Sequence, residues 1–340
     1  MAAKKSGLTF DALLKELKAQ TFAPIYFLQG DEPYYIDLLS NYFEQKILDE
    51  TEKAFNLTVL YGRDIDHLAV IDQARRFPMM SRYQVVVIRE AQYMRDLTQL
   101  EKYVENPAPE TILVICYKHK KLDKRTKFAK QLLSSGVFFE SKRIYANQVP
   151  GWITSYLKKK KLTIATKEAS LIAEYLGSDL AKISNELDKM ILNIERESIT
   201  QEDIEKYIGI SKDYNIFELQ SALATRNASK AYRIIRYFIR DPKNHPMVLI
   251  VSGLFNYFSK IYLLHGLKNA SDREVMQTLR LSSPYFVQEY RLAQRKYSRQ
   301  KTESVIRLLR DYDLRSKGVG NDHFSHEALL QEMIYRILTL

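Results

Sequence analysis

Five short apolar runs punctuate the first 146 residues: Ile25 to Leu28, Leu57 to Tyr61, Val85 to Ile88, Ile112 to Cys116 and Val137 to Phe139. Each is β-branched or aromatic, and segments with helical spacing separate them. Such a chain predicts a parallel sheet covered by helices on both faces. After residue 147 the texture changes to long apolar patterns of period 3.6, and the 340 residues contain only 11 glycines and 9 prolines. The expectation is an α/β front followed by an all-α remainder, in two or three domains.

The all-α part divides further. One helix follows Trp152, and a second opens at Thr166 as N-cap. Gly177-Ser178-Asp179-Leu180 ends that helix and caps another carrying Ile183, Leu187 and Ile191. Thr200-Gln201-Glu202-Asp203 resembles a capping box opening a short helix through Tyr207. Residues 147–211 thus predict a small helical domain. A last helical region, 212–340, follows with helices around Phe217 to Ala224, Ala228 to Arg240, Met247 to Leu267, Ser271 to Leu279, Pro284 to Tyr297, Lys301 to Lys317 and His326 to Leu340. The most apolar window, Met247 to Leu264, is interrupted by Ser252, Gly253, Asn256, Ser259 and Lys260, so a buried helix is expected there rather than a membrane span.

Pro24 to Asp37 reads as a strand, turn and helix where a nucleotide-binding domain carries its phosphate loop. That loop needs G-x-x-x-x-G-K-[ST], and no glycine of this chain is followed by lysine. Gly30 is followed by Asp31 and Glu32, and a carboxylate about 4 Å from a phosphate costs roughly 1 kcal/mol in water and about 4 at an effective dielectric near 20. In the Walker B position, Val85 to Ile88 is followed by Arg89 and Glu90, with arginine where a metal-holding aspartate belongs. Gly30, Asp31, Glu32, Arg89 and Glu90 are therefore read as a degenerate nucleotide site, with no cofactor expected.

Other catalytic patterns fail. Cys116 lies in an apolar run, so an inert buried thiol is expected, and no nucleophile elbow is present. His323 and His326, flanked by Asp322 and Glu327, read as a loop and helix start because a third metal ligand is not recognisable. Asp64 with Asp66 and Asp311 with Asp313 read as turns and helix surface. The formal charge of +11 is uneven: +3 over 1–146, −1 over 147–211 and +9 over 212–340. A basic helical region suggests an anionic partner, most often nucleic acid. Lys118 to Arg143 carries a net +7, facing either DNA, a neighbouring subunit or solvent. The N-terminal residues lack a signal-peptide core, and a cytoplasmic location is expected.

Several motifs in order carry a resemblance: Pro24 to Tyr35 as P-x-Y-x-L-x-G-D-E-P-Y-Y, Pro78-Met79-Met80-Ser81 before the strand ending at Ile88, Lys121-Leu122-Asp123-Lys124-Arg125, Gly177 to Lys189, and Asp313 to Gly318. In these the chain resembles the delta subunit of the bacterial DNA polymerase III clamp loader. The resemblance implies an AAA+-like parallel-sheet domain without ATP binding (1–146), a helical lid domain (147–211) and a C-terminal helical collar domain (212–340). It implies a non-catalytic subunit of a DNA-directed DNA polymerase that binds and opens the beta sliding clamp, with tau/gamma and delta-prime subunits and primer-template DNA as further partners and no membrane.

The same resemblance assigns clamp contact to Met79 and Met80, flanked by Phe77 and Arg82. The residues agree, since Pro78 ends the helix bearing Ile71 and Ala74 and leaves two flexible, polarizable side chains at a turn. Three other readings stay open: Met79 and Met80 covering the sheet end, a stand-alone basic helical nucleic-acid-binding protein, and a divergent ATPase.

Overall fold

The computed structural model describes residues 5–6, 8–211, 213–267, 269–281, 284–320 and 324–340. They form two compact units, Met1–Ile144 and Tyr145–Leu340.

In the first unit, β1 (Lys5–Ser6), β2 (Ile25–Gly30), β3 (Leu57–Tyr61), β4 (Gln84–Arg89), β5 (Thr111–Lys118) and β6 (Val137–Ser141) make one sheet in the order β1-β6-β2-β5-β4-β3. Every pairing is parallel. Parallel strands need crossovers, supplied by α1 (Phe10–Lys18), α2 (Pro33–Lys46), α3 (Glu50–Asn56), α4 (His67–Ala74), α5 (Glu101–Glu105) and α6 (Lys127–Ser135). Alternate residues of the central strands enter two cores. Phe27, Val86, Ile88 and Leu113 pack with Val70, Leu100 and Phe128; Tyr26, Leu28, Val87 and Val114 pack with Leu13, Leu39 and Phe43. Because both faces are covered, the strands read as continuous apolar runs and not as alternating ones.

The strands run longer than their apolar runs suggest. β2 continues through Gln29 to Gly30 and β5 through Lys118, since ladder bonding continues into polar residues whose side chains find partners, as Gln29 does by accepting from the Leu122 amide at 2.7 Å. These extensions carry the strand ends to one edge, the place where open α/β sheets hold ligands.

The second unit comprises α7 (Val149–Lys159), β7 (Thr163–Ile164), α8 (Thr166–Leu176), α9 (Leu180–Ile191), β8 (Ser198–Ile199), α10 (Gln201–Ile208), α11 (Ile216–Ala224), α12 (Ala228–Arg240), α13 (Met247–Gly266), α14 (Asp272–Leu279), α15 (Pro284–Lys296), α16 (Arg299–Ser316) and α17 (His326–Thr339). Two local readings need correction. Trp152 lies inside α7 because Pro150, with no amide hydrogen to offer, is tolerated in a helix's first turn,. Thr166 is the first helical residue rather than the cap, which falls on Ala165. The short parallel pair of β7 and β8 was not legible at two residues each. Asp179 caps α9 as expected, accepting from the Lys182 amide at 3.1 Å. Asp203 closes its box on the Thr200 amide at 2.8 Å.

α13 is long and apolar enough to cross a membrane by composition, yet Leu254, Phe258, Ile261 and Leu264 are wholly buried in the core of this unit. The expected boundary at 211/212 falls within the unit, and Lys212 itself lies outside the described residues. Across that boundary Glu218 of α11 accepts from Lys167 of α8 at 3.1 Å, and on its own side it accepts from Lys230 of α12 at 2.5 Å.

Candidate functional site

Two features of the first unit correspond to the residues singled out above, one at the strand ends and one on the connection from α4 to β4.

At the strand ends the phosphate-loop position is closed by the chain itself. Gly30 has φ of +134°, and a Cβ there would stand 1.9 Å from the Ser141 carbonyl oxygen. The turn lies flat against β6, with the Asp31 amide donating to that carbonyl at 3.1 Å and the Ser141 hydroxyl donating to the Glu32 carbonyl at 2.7 Å. A helix N-terminus attracts anions through its free amides. Here Pro33 removes one amide, and the buried Glu32 carboxylate accepts from the Tyr34 amide at 3.2 Å, so the chain supplies its own anion.

Arg89 is equally engaged. Its guanidinium donates to both carboxylate oxygens of Glu44, at 2.8 and 2.9 Å, and to Asn41 at 2.9 Å. Burial opposes the charge of Arg89, but the Glu44 hydrogen bonds and negative charge hold its pKa above the ordinary value. Beside it Lys118 bridges Asp37 at 2.6 Å and Glu90 at 2.7 Å. Burial disfavours the ammonium here too, and the two carboxylates outweigh it. Lys121 links Asp31 at 3.4 Å and Glu140 at 3.1 Å in a more exposed pair. Asp31, Glu32, Asp37, Glu44, Glu90 and Glu140 thus stand with Arg89, Lys118, Lys121 and Lys124 in these contacts, a net excess of two negative charges. A polyphosphate would meet a net negative cluster whose cations are already paired.

Sequence reasoning missed Asp37, Asn41, Glu44 and Lys118. The signal was present: 37, 41 and 44 are spaced to share one helix face, and Lys118 is a charge at the end of an apolar run.

The second feature is an apolar tip. α4 ends at Ala74 with Arg75 as its C-cap, four residues before Pro78, so proline does not itself break the helix as expected. Side chains from the sheet and from α5 end it instead: the Ala74 carbonyl accepts from the Thr111 hydroxyl at 2.8 Å and from the Tyr103 hydroxyl of α5 at 3.2 Å, and the Gln73 carbonyl accepts from the Gln84 side-chain amide at 2.5 Å. Beyond that anchor Phe77 is 82% exposed, Met79 60% and Met80 completely. The reading in which the methionines cover the sheet end fails for Met80. Arg82 is exposed, with its guanidinium 5.1 Å from the Tyr83 ring centre, at the margin of the tip.

Five of the nine lysines and arginines of the basic segment 118–143 are paired within the unit. Besides Lys118 and Lys121, Lys124 pairs with Glu140 at 3.1 Å, Arg125 with Asp123 at 2.8 Å and Lys127 with Glu101 at 2.6 Å. Cys116 is fully buried, and desolvation pushes its thiol pKa up to about 12, so it is inert as a nucleophile. Asp322 and His323 lie outside the described residues, and His326 bonds the Ser316 carbonyl at 3.1 Å. Among the described residues no group of three His, Cys, Asp or Glu is placed to hold a metal.

Fold and site together define a protein with a nucleotide-binding architecture whose phosphate position is shut, joined to a helical unit. Residues 26–142 match the family described as DNA polymerase III, delta subunit. The chain is 26% identical to DNA polymerase III subunit delta of Bacillus subtilis over 265 residues, covering 75% of this chain and 76% of that protein. It is 19% identical to the probable DNA polymerase III subunit delta of Aquifex aeolicus, covering 86% of each. Among solved structures, the Bacillus subtilis DNA clamp loader delta protein aligns with a TM-score of 0.58 at 22% identity, covering 98% of this chain and all of that one, which shows a shared fold. The delta-subunit match thus spans most of the first unit, and the two relatives that extend it over three quarters or more of the chain carry the same subunit name.

Proposed function

We propose that this chain grips the ring-shaped beta sliding clamp and springs it open for loading onto primed DNA in the cytoplasm, leaving ATP hydrolysis to other subunits. The observation that carries the reading is the tip: Phe77, Met79 and Met80 project into solvent from a connection whose helical end is tied to the sheet by Gln84 and Thr111 and to α5 by Tyr103. Flexible, polarizable methionines suit a preformed apolar pocket on a partner, and a shut phosphate position supports a role that needs no nucleotide on this subunit.

In this reading residues 1–146 are the clamp-binding domain, 147–211 the lid, and 212–340 the collar that joins tau/gamma and delta-prime. Leu249, Phe255 and Leu263, exposed on α13, offer apolar surface for such neighbours, and the +9 of this region suits nearby primer-template DNA,.

The test is surface plasmon resonance against immobilised sliding clamp, comparing wild type with the double variant Met79→Ser, Met80→Ser. Burying one methionine contributes about 1.5 to 3 kcal/mol, so losing both at their observed exposure should weaken binding by at least ~30-fold, or about 2 kcal/mol. Unchanged affinity in a variant that melts like wild type would refute the assigned contact. Tight, steeply salt-dependent DNA binding with no clamp affinity would favour the stand-alone nucleic-acid reading.

A further inference from the structure

We propose that Asn56 is a positioning residue for the Met79-Met80 tip, holding it open and pre-formed in the free chain; this rests on the clamp-binding reading above. Asn56 is the last residue of α3 and is only 1% exposed. Its Oδ1 accepts from the Met79 amide at 2.6 Å, and its Nδ2 donates to the Met79 carbonyl at 2.9 Å. The carboxamide therefore pairs with both backbone groups of one residue, as a neighbouring strand would, while the Met79 side chain is left exposed. The second Nδ2 hydrogen goes to the Glu52 carbonyl at 3.0 Å, which orients the amide plane. Both donors are in use, so aspartate, which has none, cannot replace it.

The next residue explains why a tether is needed. Met80 has φ of +53°, a left-handed conformation that a residue with a Cβ adopts only when its surroundings impose it,. Released from Asn56, the turn would relax toward negative φ and swing the Met80 side chain away from its fully exposed position. α3 is itself a firm base: Asp49 accepts from the Glu52 amide at 2.9 Å and Glu52 from the Asp49 amide at 3.0 Å, closing a capping box,. The tip is thus fixed at both ends, through the α4 carbonyls on one side and through Asn56 on the other.

Pre-organisation of this kind acts on the fraction of molecules competent to bind. Its loss lowers the association rate and leaves dissociation from the seated complex unchanged. With the full chain and immobilised sliding clamp, Asn56→Ala and Asn56→Asp should each lower kon about tenfold, with koff within twofold of wild type and amide exchange over residues 76–83 accelerated. Wild-type affinity in folded variants, or a loss carried by koff alone, overturns the proposal. Should both variants fail to fold, the wild-type chain still decides: a Met79 amide protected from exchange supports the tether, and one exchanging at the free-peptide rate overturns it. The double variant Met79→Ser, Met80→Ser separates the two readings. If it binds like wild type, the tip reading fails; if it loses binding while the Asn56 variants do not, only the tether fails.

Discussion

Replacing Arg89 by aspartate restores the carboxylate that a Walker B strand carries, and the structure predicts that the change will damage the fold without creating a nucleotide site. Arg89 makes a two-pronged ion pair with Glu44, and their side chains are 28% and 16% exposed. At that depth the pair lies between surface pairs, which contribute about 0 to 1 kcal/mol, and buried ones, whose breaking costs about 3 to 5; a loss of roughly 2 kcal/mol is expected. The substitution also sets a carboxylate beside Glu44, and like charges about 5 Å apart repel by roughly 3 kcal/mol at an effective dielectric of 20. Protonation and side-chain movement relieve part of this, so the total should be about 3 to 4 kcal/mol. Urea denaturation measures it through a lowered midpoint. The direction with pH follows: crowding raises the carboxyl pKa in the folded state, so the neutral form stabilises it and the variant should recover stability as pH falls from 7 toward 5. Titration calorimetry with Mg-ATP should detect no binding to Arg89→Asp, because Lys118 remains held by Asp37 and Glu90 and Glu32 still occupies the helix start. Wild-type stability, or Mg-ATP binding gained by the variant, would refute this account of the site.

Other outcomes follow from single groups. Gly30→Ala would place a Cβ 1.9 Å from the Ser141 carbonyl oxygen at φ of +134°, and should cost about 3 kcal/mol or more by urea denaturation; a loss below about 1 kcal/mol would mean the turn is not pressed against β6. In the second unit, desolvation pushes the Glu289 carboxyl up to about 7, with Lys167 opposing and Glu218 adding to the rise. Its folded pKa lies above the unfolded value, so its contribution is complete below about pH 4.5 and declines as pH rises through 7. Wild type should therefore lose roughly 1 to 3 kcal/mol between pH 5 and pH 8 relative to Glu289→Gln, measured as the difference of their unfolding free energies. Parallel pH profiles would show that Glu289 ionises freely.

How much was legible depended on whether the cause was local. The five apolar runs stood out because parallel strands bury both faces, and the Asp179 and Asp203 caps because their bonds reach only three residues along the chain. The Gly30-Asp31-Glu32 turn could be recognised as unsuited to phosphate by composition alone. The partners that close it could not, since Glu44 lies 45 residues from Arg89 and Glu32 is 109 residues from the Ser141 hydroxyl that holds its carbonyl. Phe77 was legible only as a flank of the methionine pair; its exposure, which makes it part of the same apolar tip, had no sequence signal.

By itself the sequence determined the fold class, the loss of both nucleotide motifs and the presence of two methionines before a buried strand, because periodicity and residue type decide these over short windows. The tertiary structure decided that Met80 is fully exposed and Asn56 buried beneath the turn, with Asn56 bonded to both backbone groups of Met79. Those contacts join segments 23 residues apart, and no local preference of asparagine or methionine specifies them. Packing the sheet and α3 together brings the carboxamide to the Met79 backbone.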